Sequence, residues 1–161
     1  MKSLECKVKV LHYFRFVRRF KFIATEVGRF NSDILVSDET QIIEIEVKCS
    51  IADLKNEIKK RKHSIYSEPT SYYKKYIPNY FFFAVPESLI ERIKLYLSDS
   101  PYGLISISEK EIKAKKDVYC KIMKKSKQIH KNFNLKLHDQ IVLRMGSELI
   151  RGRLKELKGY K

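Results

Sequence analysis

Apolar and polar residues alternate strictly from Gln41 to Cys49, with Ile43, Ile45 and Val47 on one side and Glu44, Glu46 and Lys48 on the other. That is the period of a β-strand. Upstream, Lys21 to Val27 is rich in strand-forming residues, Gly28 supplies a turn, and Asp33 to Ser37 (DILVS) is the short apolar run of a buried strand. The segment SDET at 37–40 is turn material, so the two neighbouring runs predict a hairpin. Before them, Leu4, Val8, Leu11 and Phe14 recur at helical spacing after Ser3, predicting a first helix to about Arg19. After the alternating strand, Ser50 is a good N-cap, and Ile51, Leu54, Ile58 and Ile65 line one side of a lysine-coated helix reaching Tyr66.

The second half is punctuated by proline. The loop SEPTSYYKKYIP ends at Pro78, and NYFFFAVP is a continuous apolar run suited to a central strand buried on both faces. Pro86 stops it. Glu87 to Leu97 predicts a short amphipathic helix, Pro101 and Gly103 bracket a turn, and YGLISIS predicts the last strand. From Glu109 onward the chain reads as two basic helices broken near Asn132 to Asn134. The order is helix, three strands, helix, strand, helix, strand and helical tail. It predicts an α/β fold, a mixed sheet flanked by helices, in a single domain. Residues 1–108 would form the core and 109–161 a basic helical extension packed on or flanking it.

Charge changes the picture of the partners. Lys and Arg total 34 against 19 Asp and Glu, a formal net charge of +15. Residues 109–161 carry +10 of it, from 16 basic and 6 acidic side chains. Such an excess favours a polyanion through counterion release, with nucleic acid ahead of an anionic membrane. The tail lysines, Lys124 and Lys125 among them, are the expected phosphate-gripping surface; a solvated helical face is the competing explanation for any one of them. No stretch approaches a membrane span and no signal-peptide pattern follows Met1, so a cytoplasmic protein is expected. Cys6, Cys49 and Cys120 are far apart in sequence and odd in number, which reads as reduced, mostly buried thiols rather than a disulfide framework or zinc site.

The candidate chemistry lies on the polar side of the alternating strand. Charges on strands apolar enough to be internal need partners or a metal. Pairing DILV with IEIEVK as an antiparallel hairpin brings Asp33 to the end where Glu46 and Lys48 sit. Hard oxygens from Asp33 and Glu46, with a backbone carbonyl and waters, suit Mg²⁺ or Mn²⁺, and Lys48 could orient a water nucleophile or stabilise charge on a scissile phosphate. Phosphodiester hydrolysis is the reaction these parts best explain. The competing structural explanation is a salt-bridge ladder on a half-exposed strand. Glu44 is either a second metal-side carboxylate or a solvent-facing residue.

In Ser32-Asp33, twelve intervening residues and Glu46-Val47-Lys48 the sequence resembles the PD-(D/E)xK nuclease superfamily. The surrounding order, TEVGRFNSDILV, QIIEIEVKCSIADLKNEIKKRKHSIY, PNYFFFAVPESLI and YGLISIS, looks like its MmcB-like DNA-repair branch over roughly residues 20 to 108. Ser32 stands where the motif usually has proline. The resemblance implies a restriction-endonuclease-like core, a divalent metal and a DNA substrate, carried onto Asp33, Glu46 and Lys48. Many members have a further upstream acid, for which Glu26 is the candidate and Glu5 the reserve.

Helix residues after the motif strand, Lys59, Lys62, His63 and Tyr66, could reach DNA or the site, with solvated helix residues as the safer reading. Tyr72, Tyr73, Tyr76 and Tyr80 are interleaved with Lys74 and Lys75, a composition able to stack single-stranded bases. Phe81 to Phe83 read as core. The four histidines show no zinc or dyad spacing. The expected function is a Mg²⁺- or Mn²⁺-dependent deoxyribonuclease of repair, recombination or mobile-element DNA metabolism. The alternatives are an idle DNA-binding protein on the same fold, recruiting partners through its basic tail, and an RNA-associated factor. A homodimer would suit cutting of both strands.

Overall fold

The alternating and apolar runs fold as one mixed sheet in the computed structural model, which describes residues 1–114 and 117–159. Residues 115, 116, 160 and 161, within the expected helical tail, lie outside the described residues. Helix α1 (Ser3–His12) runs into a π-helical turn (Tyr13–Val17), followed by β1 (Phe22–Val27), β2 (Ser32–Ser37) and β3 (Ile42–Val47). Then come α2 (Ile51–Ile58), α3 (Arg61–Ser67), β4 (Tyr80–Pro86), α4 (Ile90–Tyr96), β5 (Gly103–Ile107), β6 (Cys120–Lys124) and α5 (Leu135–Gly159). The strand order is β1-β2-β3-β4-β5-β6, with β3, β4 and β5 parallel to one another and the other neighbours antiparallel.

Local chemistry fixes the hairpin that matters most. At the β2–β3 turn, Asp38 Oδ1 accepts from the backbone N–H groups of Thr40 and Gln41, an Asx-type turn in which Glu39 takes a left-handed φ of 73°. The turn sets Ile34 opposite Ile45 and Leu35 opposite Glu44. One step further along this ladder, Asp33 comes beside Glu46.

The sheet has two apolar faces. One carries Ile34, Val36, Ile43, Ile45 and Val47 against Cys6, Val10, Tyr13 and Phe14 of the first helical segment. On the other, Phe81, Phe83, Val85 and Leu104 pack against Leu54, Ile65, Tyr66, Ile90 and Ile93 of α2, α3 and α4. The first turns of α5 close the β1 end of this second face, with Leu137 and Ile141 on Ala24, Leu35 and Ile42. β4 is buried on both sides, as its unbroken apolar run predicts.

Three expectations are corrected. The first helix does not bury Leu4 and Val8, which are exposed, but a face formed by Cys6, Lys9 and Val10. Lys9 is fully buried because its Nζ donates to Glu5 Oε1 (2.7 Å) and to the Ser108 carbonyl (2.9 Å). The single lysine-coated helix is two, because Lys60 is extended with ψ 142°; the phase shift exposes Ile58 and turns Lys62, His63, Ile65 and Tyr66 inward. YGLISIS is not the last strand, since Cys120–Lys124 adds antiparallel to β5 where a tail helix was expected. The tail thus contributes a strand to the sheet and a helix to the core. No described helix is long and apolar enough to cross a membrane.

Candidate functional site

β3 points Glu44 and Glu46 to the α2–α3 side of the sheet, and both are almost fully buried. Isolated carboxylates there would cost far more than the fold could supply, so each must meet a cation. Lys62 provides it, with Nζ 2.9 Å from Glu44 Oε1, 2.5 Å from Glu46 Oε1 and 2.8 Å from Glu57 Oε1. Tyr66 donates its hydroxyl to Glu44 Oε2 at 2.5 Å. His63 Nδ1 lies 2.9 Å from the Tyr102 hydroxyl, and its Nε2 is 3.8 Å from Glu57.

Asp33 and Glu46 converge on one point, and the Lys48 ammonium sits there. Its Nζ is 2.6 Å from Glu46 Oε2, 3.4 Å from Asp33 Oδ2 and 2.9 Å from Glu57 Oε2. The Val47 N–H also donates to Asp33 Oδ2 (3.0 Å), and Lys7 of α1 approaches Asp33 Oδ1 at 2.9 Å. Asp33, Lys48 and Glu57 line an open pocket of about 350 Å³, bordered also by Ser3, Cys49, Asp53 and Lys60, while Glu46 is buried behind them. Cys49 Sγ lies 3.5 Å from Cys6 Sγ, so two thiols distant in sequence are neighbours at its edge.

The electrostatics separates the acids. Burial pushes Glu46 up to about 7; Lys62 opposes this, while Glu44 and Asp33 add to it. Burial also works against ionised Asp33, yet Lys7 and Lys48 prevail and hold it below the usual carboxylate range. Glu57 is held far below that range, because His63, Lys60 and Lys62 outweigh its burial. The same carboxylates keep Lys48 and Lys62 firmly charged in spite of their burial. Tyr66 is driven well up by burial and by Glu44.

The donor set fits a small hard cation in part. Two carboxylates aimed at a common point match the sparse protein ligation typical of Mg²⁺. Among the described residues no group of three or more His, Cys, Asp or Glu side chains is placed to hold a metal. A cation bound by Asp33 and Glu46 would therefore have to exchange with the Lys48 ammonium.

The remaining expected site residues divide. Glu26 is exposed at a left-handed φ of 49° and pairs with Lys7, so it reaches Asp33 only through that lysine; Glu5 is engaged by Lys9. Lys62 and His63 are not surface contacts for DNA, because the buried acids draw them inward. Lys124 is half-buried, donating to the carbonyls of Leu97 and Ser100 at the end of α4, which removes it from a phosphate-gripping role. Lys59, Lys74 and Lys125 are exposed and Lys75 half-buried. Sequence reasoning missed Glu57 and Tyr102. Glu57 stands three residues after buried Leu54, on the same helical side, and that spacing is the one signal that could have found it.

No protein-family model matches the chain. No curated protein matches it either. Among solved structures it is similar to SPO1766, a protein of unknown function from Silicibacter pomeroyi, with TM-score 0.61 and 15% identity over 98% of this chain and 92% of that one. At that identity the likeness concerns the fold alone, and its span includes β6 and α5.

Proposed function

We propose that this chain is a divalent-metal-dependent deoxyribonuclease with a restriction-endonuclease-like core, acting through Asp33, Glu46 and Lys48. The observation that carries the reading is the convergence of the Asp33 and Glu46 carboxylates on the Lys48 ammonium, with Asp33 and Lys48 lining an open pocket. The resemblance to the PD-(D/E)xK pattern and the basic surface support it. Mg²⁺ or Mn²⁺ held by Asp33 and Glu46 would supply activation of water and neutralisation of phosphate charge. Glu57 offers Lys48 a second anchor, so the ammonium can leave the carboxylate pair and still face the pocket. There it would orient the attacking water and stabilise charge on the scissile phosphate. Lys62 fixes the far oxygen of Glu46, limiting its rotation.

One observation favours a second reading, a DNA-binding protein that does not cut. Lys7, Lys48, Lys60 and Lys62 already stand against Asp33, Glu44, Glu46 and Glu57, so each of these carboxylates has an ammonium beside it without any added cation. Incubating branched, single-stranded and duplex DNA with the protein in Mg²⁺ or Mn²⁺ separates the two. Cleavage by wild type that is lost in Glu46→Ala and Lys48→Ala is expected. Equal cleavage by both variants overturns the site, and DNA binding without any cutting favours the second reading.

A further inference from the structure

Beyond the acidic pocket, three distant segments build a cluster of rings and cations. The β1–β2 turn presents Arg29, the 70–77 loop presents Tyr72, Tyr73, Lys75 and Tyr76, and the start of α5 presents Lys136. The Arg29 guanidinium carbon lies 5.4, 5.6 and 5.7 Å from the ring centres of Tyr72, Tyr73 and Tyr76. Lys75 Nζ is 4.6 Å from the Tyr72 centre, and Lys136 Nζ is 5.5 Å from that of Tyr76. We infer that this cluster is a platform for single-stranded DNA, stacking bases on Tyr72 and gripping phosphates with Arg29, Lys75 and Lys136.

Three features carry the inference. Tyr72 is half exposed, so part of its ring is free to meet a base. Arg29, Lys75 and Lys136 have no carboxylate partner among the described residues, which leaves their charge for an anion, in contrast to the neutralised lysines of the pocket. The cluster is also pre-formed. Gly28 makes the turn with a φ of +81°, Phe30 stacks on Tyr73 and meets Tyr66 edge-on, and Asn134 donates to the carbonyls of Lys74 and Ile77. Ring faces with interleaved cations suit single strands, whose bases are exposed, and discriminate little among sequences. Duplex DNA hides those faces.

The platform adjoins the proposed active site. Glu26 borders a second pocket, of about 470 Å³, together with Arg29, Tyr76 and Arg144, and it pairs with Lys7, which reaches Asp33. A strand lying on the rings would pass this bridge into the acidic pocket. The choice of DNA rests on the nuclease reading; the stacking itself does not.

The test is binding of a labelled dT20, a matched duplex and a U20 RNA, by fluorescence anisotropy in EDTA, where cleavage plays no part. Wild type is expected to prefer dT20 over both competitors. Tyr72→Ala is expected to weaken dT20 binding roughly 5- to 150-fold with the salt slope kept, and Lys136→Ala to reduce that slope by about 0.7. Arg153→Ala, an exposed α5 control, is expected to bind as wild type. Unchanged dT20 binding by Tyr72→Ala, or a preference for duplex, overturns the platform, and equal or tighter binding of U20 overturns the assignment to DNA. A protein that never cuts yet shows the Tyr72 effect loses the nuclease reading and keeps the platform.

Discussion

The lysines around β3 and the cations of the second half of α5 are the same chemistry with opposite fates. Lys62 is 3% exposed and touches three carboxylates, whereas Arg153 pairs with Glu156 one turn away, both side chains mostly in solvent. What decides is the partner across the fold. Glu44, Glu46 and Glu57 are buried by strand alternation and helix packing, and they draw lysines in; α5 stays on β1 as far as Arg144 and Glu148, both bonded to Thr25, and among the described residues its cations beyond them meet no buried acid. A net charge of +15 therefore overstates the surface available to phosphate, since Lys9, Lys48 and Lys62 are largely consumed inside.

The contrast breaks most visibly at Lys62. Lys62→Met removes the shared cation from three buried carboxylates and is expected to cost about 3–5 kcal/mol in urea unfolding. Preserved stability would mean that the carboxylates take up protons or water at little cost. Glu57→Gln keeps the shape but removes one charge, and it is expected to cost less, about 1–3 kcal/mol, because Glu44 and Glu46 still hold Lys62. Arg153→Ala should leave thermal unfolding unmoved.

Acid sharpens the same contrast through two opposed windows. Glu57 and Asp33 are depressed from ordinary values of 4.5 and 3.8, so their stabilisation is complete above those values and is lost as pH falls through the folded ones. Glu46 is raised from 4.5 to about 7, so its contribution is present below 4.5 and lost as pH rises through 7. The melting temperature should therefore rise modestly from pH 7.5 to about 5 and fall steeply below about 4.5. Glu46→Gln should flatten the first limb and Glu57→Gln should soften the second. A monotonic profile in which neither variant matters would place the pH dependence elsewhere.

The sequence made some of this legible. Alternation over 41–49 placed Glu44, Glu46 and Lys48 on one side, and the SDET turn fixed a register in which Asp33 meets them; both signals are local and periodic. Glu57 and Lys62 lay in a run of charges that reads as a solvated helix. Their burial depends on the extended Lys60 and on carboxylates from β3, neither of which a helical period encodes. β6 was hidden for a related reason: Cys120 and Ile122 alternate as a strand does, but too briefly to stand out from the basic run around them. Leu4 and Val8 misled because an apolar residue on a surface helix carries no obligation to be buried.

The most direct measurement is a Mn²⁺ titration followed by the electron paramagnetic resonance of the free ion, with wild type, Asp33→Asn and Glu46→Gln side by side. The account predicts a site in wild type that is weakened at least about tenfold by either substitution, since each removes one of two charged ligands. Mn²⁺ binding that is absent in wild type, or indifferent to both substitutions, would contradict it and leave Asp33, Glu46 and Lys48 as a closed ion cluster.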